Sequence, residues 1–186
     1  PSDREAYVMA EYYKMKIAGL ERSLRLCPIN EKLDIAAFIM FSDVEITVES
    51  AKALLAKAPD FDVILTAECK GIPLAFEMAR QSGKPYFICR KGAKLYMQSP
   101  VSVNVRSITT DKEQTLFMDS LEGQQLRGKK VIILDDVIST GESLLAVKKL
   151  VEEFDGNIVA QAAILAEGDA ADRDDIIFLE KLPLFD

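Results

Sequence analysis

Histidine is absent from this chain of 186 residues, and cysteine occurs only at Cys27, Cys69 and Cys89. Without an imidazole there is no Ser-His-Asp triad and no zinc site of the Cys/His type. An odd, sparse set of thiols fits a reducing cytoplasm, which is the expected location. No apolar run approaches the length of a membrane span, so no membrane partner is expected. The start, Pro1-Ser-Asp-Arg-Glu5, lacks the charged-then-apolar plan of a signal peptide and reads as a helix cap. Positive charge is in deficit, with 23 Lys and Arg against 30 Asp and Glu for a net charge of −7. That balance argues against a nucleic-acid-binding surface, although a local basic pocket is compatible with it. Repeats, low-complexity stretches and linkers are also missing.

What is present is the composition of a globular protein, 49% hydrophobic and 28% charged, with length for a single core and too little for two ordinary domains. The most informative stretch is Val131-Ile-Ile-Leu-Asp-Asp-Val-Ile-Ser-Thr-Gly-Glu-Ser143. Val131–Leu134 is a continuous aliphatic run, as in a strand buried on both faces of a parallel sheet. Asp135 and Asp136 stand where that strand is expected to end. Ser139, Thr140, Gly141, Glu142 and Ser143 follow as a small, hydroxyl-rich turn, and Leu144, Leu145, Val147, Leu150, Val151 and Phe154 mark one face of a helix. Backbone N–H groups and the positive dipole end at a helix start suit a phosphate. Two carboxylates beside a phosphate make sense if a sugar diol lies between them, because carboxylates accept hydrogen bonds from paired hydroxyls. The stretch therefore reads as a ribose-5-phosphate cradle. A receiver domain also pairs acids at a strand end, but it needs several further βα units, and little chain follows Ser143.

Two other loops carry chemistry. Thr66-Ala-Glu-Cys-Lys-Gly71 opens a helix at Ile72-Pro73, where proline in the first turn is favourable. Cys69 reads either as a small residue in a tight loop or as a thiol activated by a helix start and Lys70. Arg90-Lys-Gly-Ala-Lys94 places three cations in five residues, which suits either a diphosphate clamp or a solvated turn.

Along the chain, the pattern Ala6, Met9, Tyr13, Ile17, Leu20, Leu24 predicts a helix over 3–24, then an extended segment over 25–30 and an apolar strand over 35–41. Thr47 is expected to cap a helix reaching Lys57. From there strands at 63–66, 85–89, 114–119, 131–134, 157–166 and 176–179 alternate with helices at 71–82 and after Ser143. Residues 90–110 read as long and irregular, with strand pieces near 101–105, and 168–175 as a solvated acidic loop. This is an α/β pattern: a doubly wound, mainly parallel sheet flanked by helices. Residues 1–58 form a small N-terminal accessory element and 59–186 the core. Ligands in such sheets bind at the carboxyl ends of strands.

The Val131–Ser143 stretch resembles the phosphoribosyl-diphosphate motif of the type I phosphoribosyltransferases: an aliphatic strand, two acids, then a small hydroxylated loop. The resemblance covers roughly 60–166. It implies that Asp135 and Asp136 hold the ribose hydroxyls and that Ser139 to Ser143 wrap the 5-phosphate. Glu68, Cys69, Lys70 and Gly71 match the family's pyrophosphate loop in order, and Arg90, Lys91 and Lys94 then stand beside the diphosphate. Residues 97–110 become a mobile lid that excludes water. The implied reaction transfers a phosphoribosyl group from phosphoribosyl diphosphate to a purine base, with Mg2+ held mostly by substrate oxygens and water near Asp136. Residues 1–58 become the hood that reads the base. Phe38-Ile-Met-Phe-Ser-Asp43 resembles the hood strand of adenine phosphoribosyltransferases, with Phe41 as the stacking candidate beside Ile39 and Met40; the same side chains also suit a strand core. The lid segment Val101-Ser-Val-Asn-Val-Arg106, with Ser107-Ile-Thr-Thr and Gln114-Thr115, is instead similar to xanthine phosphoribosyltransferases and purine repressors. Adenine is thus the favoured base, with a xanthine enzyme or a non-enzymatic purine-repressor-like regulator as alternatives. A homodimer is the family habit.

Overall fold

The computed structural model describes residues 11–107 and 112–186. The expected helix cap at Ser2–Glu5, the helical positions Ala6 and Met9, and lid residues Thr109 and Thr110 lie outside them. Strands β1 (Tyr12–Ile17), β2 (Leu20–Asn30) and β3 (Leu33–Ala37) come first, followed by helix α1 (Val44–Lys57). Then come β4 (Val63–Ala67), α2 (Ile72–Ser82), β5 (Tyr86–Cys89), β6 (Val101–Arg106), β7 (Glu113–Met118) and the short helix α3 (Ser120–Gly123). The chain continues with β8 (Lys130–Ile138), α4 (Glu142–Glu153), β9 (Asn157–Glu167), β10 (Ile177–Leu182) and β11 (Leu184–Phe185).

The central sheet has the order β10-β9-β8-β4-β5 and is parallel throughout. Counted along the chain from β4, this is the order 2-1-3-4-5, whose direction reverses between β4 and β8. A crevice opens at such a switch point, outside the carboxyl ends of the two strands. Alternate residues of β8 feed opposite cores. Val131 and Ile133 meet Leu144, Val147, Leu150 and Val151 of α4 and Val105, Leu116 and Met118 of the β6–β7 hairpin. Ile132 and Leu134 meet Ile46 and Leu54 of α1 and Leu74 and Met78 of α2. Burial on both faces explains the uninterrupted aliphatic run. Among the described residues, no helix is long and apolar enough to cross a membrane.

The expected helix over 3–24 is replaced, over its described part, by the β1–β2 hairpin. Met9, Tyr13, Ile17, Leu20 and Leu24 have a helical spacing, but Tyr13, Met15 and Ile17 also alternate. Along β1 these three turn inward between exposed neighbours, with Ile17 fully inside. Ala18 (φ 50) and Gly19 (φ 81) both lie in the left-handed region, while Ile17 pairs with Leu20. That two-residue turn matches strand twist and decides for the hairpin. β1, β2, β3 and β11 form an antiparallel sheet, so the C-terminal residues close the N-terminal element through Leu184↔Ile35.

Three boundaries differ from expectation. The strand expected over 35–41 ends at Ala37. Helix α1 is capped by Asp43, whose carboxylate accepts from the Ile46 N–H at 3.1 Å, whereas Thr47 lies inside the helix and donates to the Asp43 carbonyl. The Arg22 guanidinium grips the same carboxylate and holds it below the usual range. Finally, β8 continues through Asp135 and Asp136 to Ile138, because β9 supplies Ala163, Leu165 and Ala166 as ladder partners.

Candidate active site

Asp135 and Asp136 sit on β8 beside the switch point. Thr66, fully buried on β4, donates its hydroxyl to the Leu134 carbonyl at 2.8 Å, which ties the two strands together one residue before the pair. The Asp136 N–H donates to Asp135 Oδ1 at 2.8 Å. Asp136 is only 3% exposed, and its Oδ2 has no hydrogen-bond partner among the described residues; Lys70 Nζ stands 3.9 Å away. Burial, and then the adjacent Asp136, push the Asp135 carboxyl up to about 8. A crowded acid pair, Asp136 buried and Asp135 half-buried, is unfavourable for stability and is a mark of a functional site.

The pair faces a cavity of about 360 Å³. On one side stand Ala67 at the end of β4 and Glu68, Cys69 and Lys70 of the β4–α2 loop, with Lys91. On the other stand Ser139 of the β8–α4 loop and Ser143 in the first turn of α4, and the N-terminal element contributes Ile35 to Ile39. A smaller adjoining recess of about 110 Å³ is lined by Asp135 and residues 137–144. There Gly141 adopts φ +79 ahead of α4; the Glu142 N–H makes a long contact of 3.5 Å to Thr140 Oγ1, and a helix start of this kind suits an anion.

The β4–α2 loop is built by close approach. A Cβ on Gly71 would lie 2.4 Å from Thr66 Oγ1 and 3.5 Å from the Asp135 Cα, so only glycine lets the loop descend onto the acid pair. Glu68 is a brace: its carboxylate accepts from the Lys91 N–H at 2.5 Å and from Arg90 Nε at 3.0 Å. Those contacts hold it below the usual carboxylate range. Arg90 is fixed further by Tyr96 and by backbone bonds to Phe117 of β7. The Glu68–Cys69 peptide is cis.

The structure brings Asp135, Asp136, Ser139, Ser143, Cys69, Lys70, Lys91 and Ile39 to the main cavity, and Thr140, Gly141 and Glu142 to its recess. The Glu142 carboxylate is already engaged, accepting from the Ser107 hydroxyl at 2.6 Å. Gly71, Arg90 and Lys94 do not line either space: Gly71 packs beneath the loop and Arg90 is held by Glu68 and Tyr96. Met40 and Phe41 also stand apart: they line a separate apolar groove with Val44, Ile72 and Phe76. The chain turns at Ser42 (φ 66) once β3 has ended, and the strand alternation that would aim Phe41 at the cavity is lost. The expected lid is in part a fixed structure, because the inward face of β6–β7 (Val105, Leu116 and Met118) is core.

Sequence reasoning missed Gln114 and Glu167, both lining the cavity. Gln114 exchanges hydrogen bonds with the Ser143 hydroxyl. Its signal was available: Gln114 shares a strand face with the buried Leu116 and Met118, and a polar residue there invites a question. Glu167 ends an apolar strand, as Asp135 and Asp136 follow one.

Residues 48–182 match the family of phosphoribosyl transferase domains. The chain is similar to the purine biosynthesis transcriptional repressor PurR of Bacillus subtilis, 34% identical over 115 residues that make 61% of this chain and 39% of that protein. It is similar also to the adenine phosphoribosyltransferase of Nocardia farcinica, 32% identical over 126 residues, 68% of this chain and 64% of that one. The hypoxanthine/guanine phosphoribosyltransferase of Methanococcus maripaludis is 32% identical over 157 residues, 80% of this chain and 81% of that one. The chain thus spans less than two thirds of the first two relatives and most of the third. Among solved structures, adenine phosphoribosyltransferase from Thermoanaerobacter pseudethanolicus has a TM-score of 0.69 at 24% identity, covering 85% of this chain and 95% of that chain. At that identity the likeness is one of fold.

Proposed function

Because the chain belongs to the phosphoribosyl transferase family, we propose that it is a purine phosphoribosyltransferase. It would transfer the 5-phosphoribosyl group from phosphoribosyl diphosphate to a ring nitrogen of a purine and release diphosphate. The observation that carries this reading is the acid pair, with Asp136 buried, set between a cationic loop and a helix start. N–H groups and hydroxyls of 139–143 hold the 5-phosphate, Asp135 and Asp136 accept from the ribose hydroxyls, and Lys70 and Lys91 face the diphosphate, with Arg90 beside them bracing Glu68. As the bond to diphosphate breaks, positive charge grows at the anomeric carbon and the carboxylates stabilise it. Positioning and charge therefore carry the reaction without a covalent nucleophile, so the lack of histidine costs nothing.

Mg2+ fits this site. Asp136 Oδ2 is buried and has no hydrogen-bond partner among the described residues. No cluster of three or more acidic, Cys or His side chains is assembled among the described residues, so substrate oxygens and water would complete the shell. When bound, the ion would neutralise charge on the departing diphosphate.

The base would lie against Ile35 to Ile39. The hood likeness favours adenine as acceptor, giving AMP in purine salvage; the methanogen relative makes hypoxanthine and guanine the competitors, and the lid likeness adds xanthine. The test is diphosphate release from phosphoribosyl diphosphate and Mg2+ with adenine, hypoxanthine, guanine, xanthine, orotate and uracil offered separately. Release with a purine and not with a pyrimidine is expected. Binding of phosphoribosyl diphosphate with no release for any base would replace this reading by a ligand-sensing regulator, the reading that the repressor relative supports.

Lys91 lines the cavity and Lys94 does not. Lys91→Ala should therefore raise KM for phosphoribosyl diphosphate about tenfold, the value of one lost charge contact, with KM for the base nearly unchanged. Lys94→Ala should move it less than about threefold. Equal effects of the two variants would place the diphosphate elsewhere. A homodimer also belongs to this reading, with the apolar groove at Phe41, Val44 and Phe76 as the face offered to a second copy.

A further inference from the structure

The β8–α4 loop contains no cation of its own; Ser139 to Ser143 bring only Glu142 as a charged side chain. A cation reaches it from a distant segment. Arg173 follows the short helical turn Gly168–Asp172, and its Nη1 lies 2.7 Å from where a Cβ on Gly141 would be. The guanidinium thus occupies the space that a side chain at position 141 would need. It is held there by a two-pronged pair with Asp175, with Nε to Oδ1 and Nη2 to Oδ2 both at 2.8 Å. That fork uses one edge of the guanidinium and leaves Nη1 directed at the loop.

We infer that Arg173 is a positioning residue for the phosphate loop. It lines a depression with Thr140, Gly141, Lys148 and Gln161, separate from the recess for the phosphate, which Arg173 does not line. The effect is one of position: the guanidinium, its charge balanced by Asp175, supports the left-handed turn at Gly141 and so the placement of the N–H groups of 141–143. Lysine cannot replace it, because an ammonium lacks the planar fork that meets Asp175 and Gly141 together. This inference rests on the proposed phosphoribosyl chemistry for the identity of its anion, a ribose 5-phosphate group.

The test is equilibrium binding of ribose 5-phosphate to the full chain, with melting temperature measured alongside, for wild type, Arg173→Ala, Arg173→Lys and Asp175→Asn. Arg173→Ala is expected to weaken binding about tenfold at nearly unchanged melting temperature; Arg173→Lys should recover little of it, and Asp175→Asn should show an intermediate loss. Gly141→Ala should weaken binding in wild type and do so less in the Arg173→Ala background, where the blocking group is gone. Equal affinity of wild type and Arg173→Ala would overturn the inference alone, as would full recovery by lysine. A wild-type chain that binds neither ribose 5-phosphate nor phosphoribosyl diphosphate would overturn the proposed function and this inference with it.

Discussion

The double substitution Asp135→Asn with Asp136→Asn is expected to abolish turnover while leaving the protein folded and, in mildly alkaline solution, more stable than wild type. Asparagine keeps the shape of each side chain and removes the charge that would meet the ribose hydroxyls and the developing cation. Losses of about 10² to 10³ accompany removal of a single preorganised electrostatic contact, so kcat/KM should fall by about a thousandfold or more. The stability effect follows from the raised Asp135 carboxyl, pushed up to about 8 by burial and its neighbour. Between its ordinary value near 3.8 and about 8, the folded state holds a proton that the unfolded state has released. Wild-type stability is therefore greatest at the acid end of that window and declines as pH rises through it. The Asp135→Asn change removes this slope. Melting curves should show the variant above wild type by a few degrees at pH 8, with the gap closing toward pH 4. An active double variant would remove the carboxylates from the reaction; a variant that melts well below wild type at pH 8 would contradict the assigned burial cost.

The second large effect is expected at Gly71. Its φ is −79, a conformation open to any residue, so the requirement is spatial. An added Cβ meets Thr66 Oγ1 at 2.4 Å, and the Asp135 Cα lies 3.5 Å away. Thr66 cannot swing aside without releasing the Leu134 carbonyl that it satisfies. Gly71→Ala should therefore destabilise by about 1–3 kcal/mol, as overpacking does, lowering the melting temperature by about 2–4 °C for each kcal/mol in a chain of this size. It should also raise KM for phosphoribosyl diphosphate tenfold or more, since the displaced loop carries Lys70. Thr66→Ala in the same chain removes the clashing oxygen, and the double variant should recover part of both losses relative to their sum. Strict additivity would show that the two residues do not press on each other.

Much of the fold could be read from the chain because its strongest signals are local. Val131 to Leu134 announces a doubly buried strand by composition alone, and the Gly71 and Gly141 turns announce helix starts by chemistry. The cradle of 135–143 was legible for the same reason: strand, acids and loop are contiguous, and a parallel sheet brings them to one edge. What escaped depended on ambiguity or distance. Residues 11–24 satisfy both a helical and an alternating period, and only a turn with two left-handed residues separates them. Phe41 stands as a stacking candidate through the hood-strand likeness alone, and here the strand stops at Ala37. β11 is too short to declare itself and exists through its pairing with β3. Glu68 looked like a ligand in its own loop, but its carboxylate is spent on Arg90 and the Lys91 N–H. Arg173 meets Gly141 from beyond α4 and β9, a contact that only the packed chain reveals.

The most direct measurement is calorimetric titration of phosphoribosyl diphosphate with Mg2+ into wild type and the Asp135→Asn, Asp136→Asn variant at pH 7, repeated in buffers of different ionisation enthalpy. Ribose hydroxyls favour the ionised carboxylate, so wild type should bind with release of a proton from the Asp135 carboxyl, and the variant should bind weakly without release. Equal affinity in the two proteins, with no proton released by either, would contradict the placement of the ribose on this acid pair.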